Sequence, residues 1–301
     1  IHVPERLDAH RLIEEMMIAA NVAAAETLEQ KRSEVLYRVH DEPSSEKLQA
    51  LREFLGSLDI AVKKSDSVRA SDFNGILHQA RKAGNIEQVS EMVLRSQAQA
   101  EYSAENYGHF GLNLDRYAHF TSPIRRYADL IVHRALVSAL GLGDDGLTDQ
   151  EAGKLTGIGQ HISATERRAM LAERETSDRL LAQFLAERIG ARFMGRVSGI
   201  TRSGLFIRLL ETGADGFIPA STLGQDYYRF VQERQAMIGE RTGETFTLGD
   251  RVEVRLLEAA PVAGALRFEL LSEGKRGNPP SGKRLRKGAP RSFGPKGRRK
   301  R

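Results

Sequence analysis

The chain has 301 residues, enough for two domains with a sizeable core, and its apolar content is that of an ordinary globular protein. It has no cysteine, which excludes a disulfide framework and a thiolate metal site and fits a reducing, cytoplasmic setting. No apolar run is long enough to span a bilayer, and the net charge of +5 is unevenly placed. Residues 272–301 hold twelve Lys/Arg and one acid, Glu273, and stand at +11. The remainder, with 33 basic and 39 acidic residues, stands at −6. A basic tail on an acidic body suits a nucleic-acid-binding protein. The first residue is Ile1 rather than Met, which points to a start inside a longer protein.

In chain order, residues 6–31 predict an amphipathic helix with Leu12, Ile13, Met16, Met17 and Ala20 on a shared stripe. A loop around "HDEPSS" follows, then helical patterns over about 45–57, 70–83 and 86–99. The stretch 102–121, rich in Gly, aromatics and His, reads as irregular or short-stranded. Ser122 is a good N-cap and Pro123 suits a first helical position, so a helix is expected from there to about Leu140, ended by "GLGDDG". Arg125 and Arg126 then fall in a first turn, where the helix dipole disfavours cations by about 0.3–1 kcal/mol each. Two readings explain them: an anion lies between them, or Asp129, three and four residues on, pairs with them on a solvated face.

One or two further helices are expected over 148–187. Near Ile189 the period changes. "FMGRVSGI", "GLFIRLL", "GFIPAS", "RVEVRLL" and "ALRFELL" alternate with period two between Gly-rich turns, predicting a small barrel of about five strands. After Leu271 almost no apolar content remains, so the tail is expected to be disordered.

In "GLFIRLL", Leu205, Ile207 and Leu209 share the core side; Phe206 and Arg208 face outward. An exposed Phe beside an Arg can stack a base and hold a phosphate. Arg196 and, in a loop, Tyr227, Tyr228 and Arg229 extend that surface. The alternative is that Phe206 covers a second small cluster. Phe268 shares parity with Leu266 and Leu270 and is assigned to the core.

The stretches "GRVSGITRSGLFIRL", "GADGFIPASTL" and "LGDRVEVRLLEA" resemble an S-one domain, an OB-fold RNA-binding module. One departure is "FIPAS", where many members carry His before Ile-Ser; this weakens one expected RNA contact. "DAHRLIEEMMIAAN", "HFGLNLDRYAHFTSPIRRYADLIVHR" and "ISATERRAMLAERE" resemble the catalytic domain of the ribonuclease II and ribonuclease R exoribonuclease family, in the family's order. "YRVHDEPS", "DYYRF" and the tail make it most similar to the C-terminal part of the bacterial ribonuclease R branch.

The resemblance implies an α+β chain. Residues 1–147 are the mainly helical C-terminal part of the catalytic domain, and 148–188 a helical segment closing it. Residues 189–272 are the five-stranded OB-fold barrel and 273–301 a disordered basic tail. The activity implied is 3′-to-5′ hydrolysis of RNA to nucleoside 5′-monophosphates. Arg125 would contact the scissile phosphate region and Glu14 the terminal ribose, with Arg126, Phe206, Arg208, Arg196 and Tyr228 binding RNA. Asn21, seven residues from Glu14, shares its helix face; His109, His119 and His133 are read mainly as structural. In the family, Mg²⁺ is held by aspartates that lie upstream of all these stretches. The one adjacent pair, Asp144 and Asp145, reads as a helix terminator, so no ligand set is expected in this chain. The expected partners are single-stranded RNA or RNA with a 3′ overhang, with the ribosome as a further candidate; no membrane is expected, and the chain is expected to be a monomer. The rival readings are a non-catalytic RNA-binding protein and a translation-factor-like module, and the latter leaves "TSPIRRYAD" unexplained.

Overall fold

The computed structural model describes residues 5–60 and 68–276. The expected tail falls outside them except for its first four residues. The helical part comprises α1 (Asp8–Gln30), β1 (Tyr37–Val39), α2 (Ser45–Gly56), α3 (Ala70–Lys82), α4 (Ile86–Ser96), β2 (Glu101–Ser103), α5 (Tyr127–Leu140), α6 (Asp149–Ala152) and α7 (Leu155–Ala186). The barrel part comprises β3 (Arg192–Thr201), β4 (Gly204–Leu209), β5 (Asp215–Pro219), β6 (Tyr228–Val231), β7 (Ala236–Gly239), β8 (Glu244–Thr247), β9 (Arg251–Ala260), β10 (Ala265–Leu270) and β11 (Lys275–Arg276).

Three apolar clusters hold the helical part. α2, α3 and α4 pack Leu51, Phe54, Phe73, Ile76 and Val89 together. The C-terminal half of α1 packs Ala25 and Leu28 on Val39 and on Val132 of α5. A third cluster joins Leu36, Tyr102, Ile131 and Leu155. Each fully buried Leu or Ile contributes about 1.5–3 kcal/mol.

The stripe expected to bury the first half of α1 does not do so. Leu12, Ile13 and Met16 are all exposed, and burial begins only at Asn21. α5 also starts later than expected. Residues 122–126 form a turn, and the N-cap is Arg126 rather than Ser122, so both arginines precede the helix. Its end is as expected: Gly141 adopts φ 63°, a left-handed conformation that suits glycine at a helix C-terminus.

The five runs of alternating residues form a closed barrel in the order β10-β5-β4-β3-β9. Leu205, Ile207, Leu209 and Phe268 point inward and are essentially inaccessible. Gly216 must be glycine, because a Cβ there would collide with the ring of Phe268. A further sheet, β11-β8-β7-β6, has three of its strands inserted between β5 and β9, where the sequence pattern shows only loop. β11 lies past the expected boundary at 272. Its two residues pair with Glu244 and Thr245, and Lys275 binds Asp250 at 2.6 Å.

α7 connects the two parts. Its first turns bury Leu155, its last turns send Ala182 and Leu185 into the barrel core, and most of residues 166–177 between them are exposed. The parts also touch at a seam along α4. Arg196 pairs with Glu87 at 2.7 Å, Arg95 donates to the carbonyl of Ser198, and Leu248 joins the α2–α4 cluster.

Candidate nucleic-acid interface

The turn Ser122–Arg126 is fixed by a carboxylate from the helix that follows. Asp129 is wholly buried and accepts from Ser122 N at 2.7 Å, from Arg126 Nη2 at 2.7 Å and from Arg126 Nε at 2.8 Å. A buried carboxylate needs such partners to remain charged. The pairing with Asp129 therefore holds for Arg126, but on a buried carboxylate rather than a solvated face. It does not hold for Arg125, which is exposed and whose side chain has no hydrogen-bond or ion-pair partner among the described residues. Ile124 beside it is fully exposed.

Asn21 holds the approach to this turn from α1. Its Oδ1 accepts from Phe120 N at 2.8 Å and Thr121 N at 3.2 Å, and its Nδ2 donates to Tyr117 Oη at 2.9 Å. The Thr121 hydroxyl is buried with no hydrogen-bond partner among the described residues. A cleft of about 390 Å³ opens here, walled by Ile13, Glu14, Met17, Asn21, Tyr117 and Arg126. Glu14 and the arginine turn thus meet at one cavity, with Arg126 in its wall and Arg125 next to it in the chain. Glu14 is exposed and pairs with Arg6. The cleft is mostly apolar, with a carboxylate and a guanidinium on its walls, a combination that accepts a base and fixes a sugar or phosphate.

The three histidines are structural in this arrangement. His133 bonds the Phe120 carbonyl at 2.8 Å and stacks on the Phe120 ring at 4.3 Å. His119 meets Tyr102 Oη at 2.9 Å; burial, then the nearby Arg126 and Arg38 charges, lower its pKa to about 3. His109 accepts from Leu112 N, and burial, with the His40 ring beside it, lowers its pKa to about 4.

Among the described residues no group of three His, Asp or Glu side chains converges as metal ligands. Asp144 and Asp145 lie in the turn between α5 and α6, where the Asp145 carbonyl accepts from Arg134. The described residues do not fit a resident Mg²⁺.

On the barrel, Phe206 is exposed and packs on Phe217, ring centroids 5.1 Å apart. Phe217 is its ladder partner on β5, and Arg267 of β10 is the register partner of Phe217. Arg267 is exposed with no side-chain partner among the described residues. This row of two rings and a free cation is the arrangement that stacks bases and holds a phosphate. Sequence reasoning missed Phe217 and Arg267. Their signal was parity: both alternate with buried residues, Ile218 and Phe268.

The other expected contacts on this side differ. Arg208 is exposed but forked onto Asp215, at 2.9 Å. Arg196 is turned to Glu87 of α4 and belongs to the seam. Tyr228 is buried, bonded to Glu244 and packed on Phe246, so it supports the inserted sheet rather than an outer surface. The exposed ring is its neighbour Tyr227.

Residues 1–141 match the RNB domain and residues 187–270 the S1 RNA binding domain. Over 280 residues the chain is 40% identical to ribonuclease R of Escherichia coli K12, covering 90% of this chain and 34% of that protein. The chain carries an RNB domain followed by an S1 RNA binding domain. It is similar as well to ribonuclease R of Aquifex aeolicus, at 40% identity over 91% of this chain and 39% of that one. It spans about a third of the length of these relatives. Mycoplasma genitalium RNase R in its apo form superimposes with a TM-score of 0.81 at 33% identity, covering 89% of this chain and 42% of that one. Another structure of that enzyme holds ribose-methylated single-stranded RNA. Yeast Ssd1, a pseudonuclease, shares the fold at a TM-score of 0.57 and 20% identity, over 77% of this chain and 29% of that one. Among the described residues no helix is long and apolar enough to cross a membrane.

Proposed function

We propose that this chain is the RNA-holding portion of a 3′-to-5′ exoribonuclease that releases nucleoside 5′-monophosphates. The cleft between α1 and the arginine turn takes the 3′-terminal nucleotide. Arg125 meets the phosphate next to the bond that breaks and offsets charge that develops there. Glu14, once released from Arg6, accepts from a ribose 2′-OH and so favours RNA over DNA. The Phe206–Phe217 row grips upstream single-stranded RNA. In this reading Mg²⁺ and its carboxylates come from sequence upstream of this chain.

The observation that carries this reading is Arg125: an exposed guanidinium with no partner among the described residues, on a turn locked by a buried carboxylate, next in the chain to Arg126, which shares a cleft wall with Glu14. The exposed Leu12, Ile13 and Met16 support it too, because Ile13 lines that cleft and all three ask to be covered by another segment. The test is an enzyme containing this chain together with its upstream sequence, given a 3′-tailed RNA and Mg²⁺. It should shorten the RNA from the 3′ end, and Arg125→Ala should mainly lower kcat.

The second reading is a non-catalytic RNA-binding protein, favoured by the lack of convergent carboxylates among the described residues. It predicts RNA binding by the same protein with no shortening.

A further inference from the structure

Arg125 and Arg126 are neighbours, and Asp129 lies four and three residues further on. Either spacing allows an ion pair. Yet the structure gives Asp129 to Arg126 alone, through both Nε and Nη2, and gives the carboxylate a third donor in Ser122 N. A carboxylate offers about four acceptor positions, so three are taken, one of them by the turn's own backbone. On the other side of the turn, Asn21 of α1 holds Phe120 N and Thr121 N.

We propose that Asp129, Arg126 and Asn21 are positioning residues for Arg125. They grip the turn from α5 and from α1, and Arg126 occupies both oxygens of Asp129, which lessens the pull of that carboxylate on Arg125. Arg125 is thereby kept available for a phosphate. The proposal rests on the reading that Arg125 meets an RNA phosphate.

A lysine at 126 keeps the charge that neutralises Asp129 but loses the planar two-point fork. One carboxylate oxygen is then freed, and Arg125 is drawn toward it. Asn21→Ala releases the turn from the other side. Both side chains also wall the cleft. An effect that passes through Arg125 disappears in the Arg125→Ala background, whereas a direct contact with RNA is lost equally in both backgrounds.

The experiment is binding of the full chain to a labelled oligoadenylate, followed by anisotropy across a range of salt. The variants are Arg125→Ala, Arg126→Lys, Asn21→Ala and each of the latter two combined with Arg125→Ala. Arg125→Ala should flatten the slope of log K against log salt by about 0.7, the value for one phosphate contact on a single strand. Arg126→Lys and Asn21→Ala should each weaken binding about threefold alone and by less than about 1.5-fold on top of Arg125→Ala, the non-additivity of coupled residues. Equal losses in both backgrounds, with unchanged melting temperatures, overturn the positioning role while leaving the phosphate contact standing. An unchanged slope in Arg125→Ala overturns the phosphate contact itself. If Asn21→Ala fails to fold, the Arg126→Lys pair of measurements decides alone.

Discussion

Arg126 clasps Asp129 through two nitrogens, at 2.7 and 2.8 Å, and the carboxylate it clasps is completely buried. The two partners are unequal, since the Arg126 side chain keeps 20% of its exposure. Removing Arg126 strands a buried charge, whereas removing Asp129 leaves a cation that still reaches water. Arg126→Ala should therefore cost about 3 kcal/mol of folding stability. Asp129→Ala should cost about 2 kcal/mol, chiefly from the orphaned Ser122 N and guanidinium. Urea titration of the two variants checks the order; a larger loss for Asp129→Ala contradicts it.

On the barrel, Phe206→Ala and Phe217→Ala should each weaken single-stranded RNA binding by about 1–3 kcal/mol, the range for one stacked base. Tyr228→Ala should instead lower the melting temperature and leave RNA affinity unchanged, because its ring is inside and its hydroxyl is bonded to Glu244. Filter binding and calorimetry on the same preparations separate the two effects.

The adjacent tyrosines show what could be read from the sequence and what could not. Period two marks the five barrel strands and the inward set Leu205, Ile207, Leu209 and Phe268, because alternation is imposed by the strand itself. Tyr227 and Tyr228 differ only in register, and register in the short β6 is set by its partner β7, which the sequence pattern does not announce. The stripe on α1 has the same limit. Spacing says that Leu12, Ile13 and Met16 share a face, but not whether anything covers it. For the arginine pair, spacing allows Asp129 to reach either residue. Only the burial of Asp129 and its bond to Ser122 N select Arg126 and leave Arg125 out.

The buried imidazoles give the fold an acid limit. His119 and His109 have folded pKa values of about 3 and about 4, below the ordinary value of 6.5. Below pH 6.5 the unfolded chain binds more protons than the folded one at these sites. Their contribution to stability is thus complete above pH 6.5 and is lost as pH falls toward 4 and then 3. Denaturation midpoints should drop between about pH 7 and about pH 5, and His119→Gln should make that drop shallower. A pH dependence unchanged by His119→Gln contradicts the assignment.

The tail can be cut at two places with different results. Residues 277–301 carry ten Lys/Arg and no acid, so deleting them should flatten the salt dependence of RNA affinity and leave the melting temperature alone. Deleting from 273 also removes β11, the Lys275–Asp250 pair and the bond from Gly274 N to Glu244, and should lower the melting temperature as well. Equal melting temperatures for the two deletions contradict a structural role for β11.

The central claim is that this chain holds RNA but that its described residues do not supply the carboxylates that activate water. Without a metal, water near the scissile phosphate keeps a pKa of about 15.7 rather than one near neutrality. The most direct measurement uses the purified chain, end-labelled single-stranded RNA and Mg²⁺ or Mn²⁺, with products resolved by length beside a binding assay of the same sample. The account predicts a bound RNA of undiminished length. A ladder of shortened RNA that disappears in Arg125→Ala contradicts it, for the metal site would then lie within this chain.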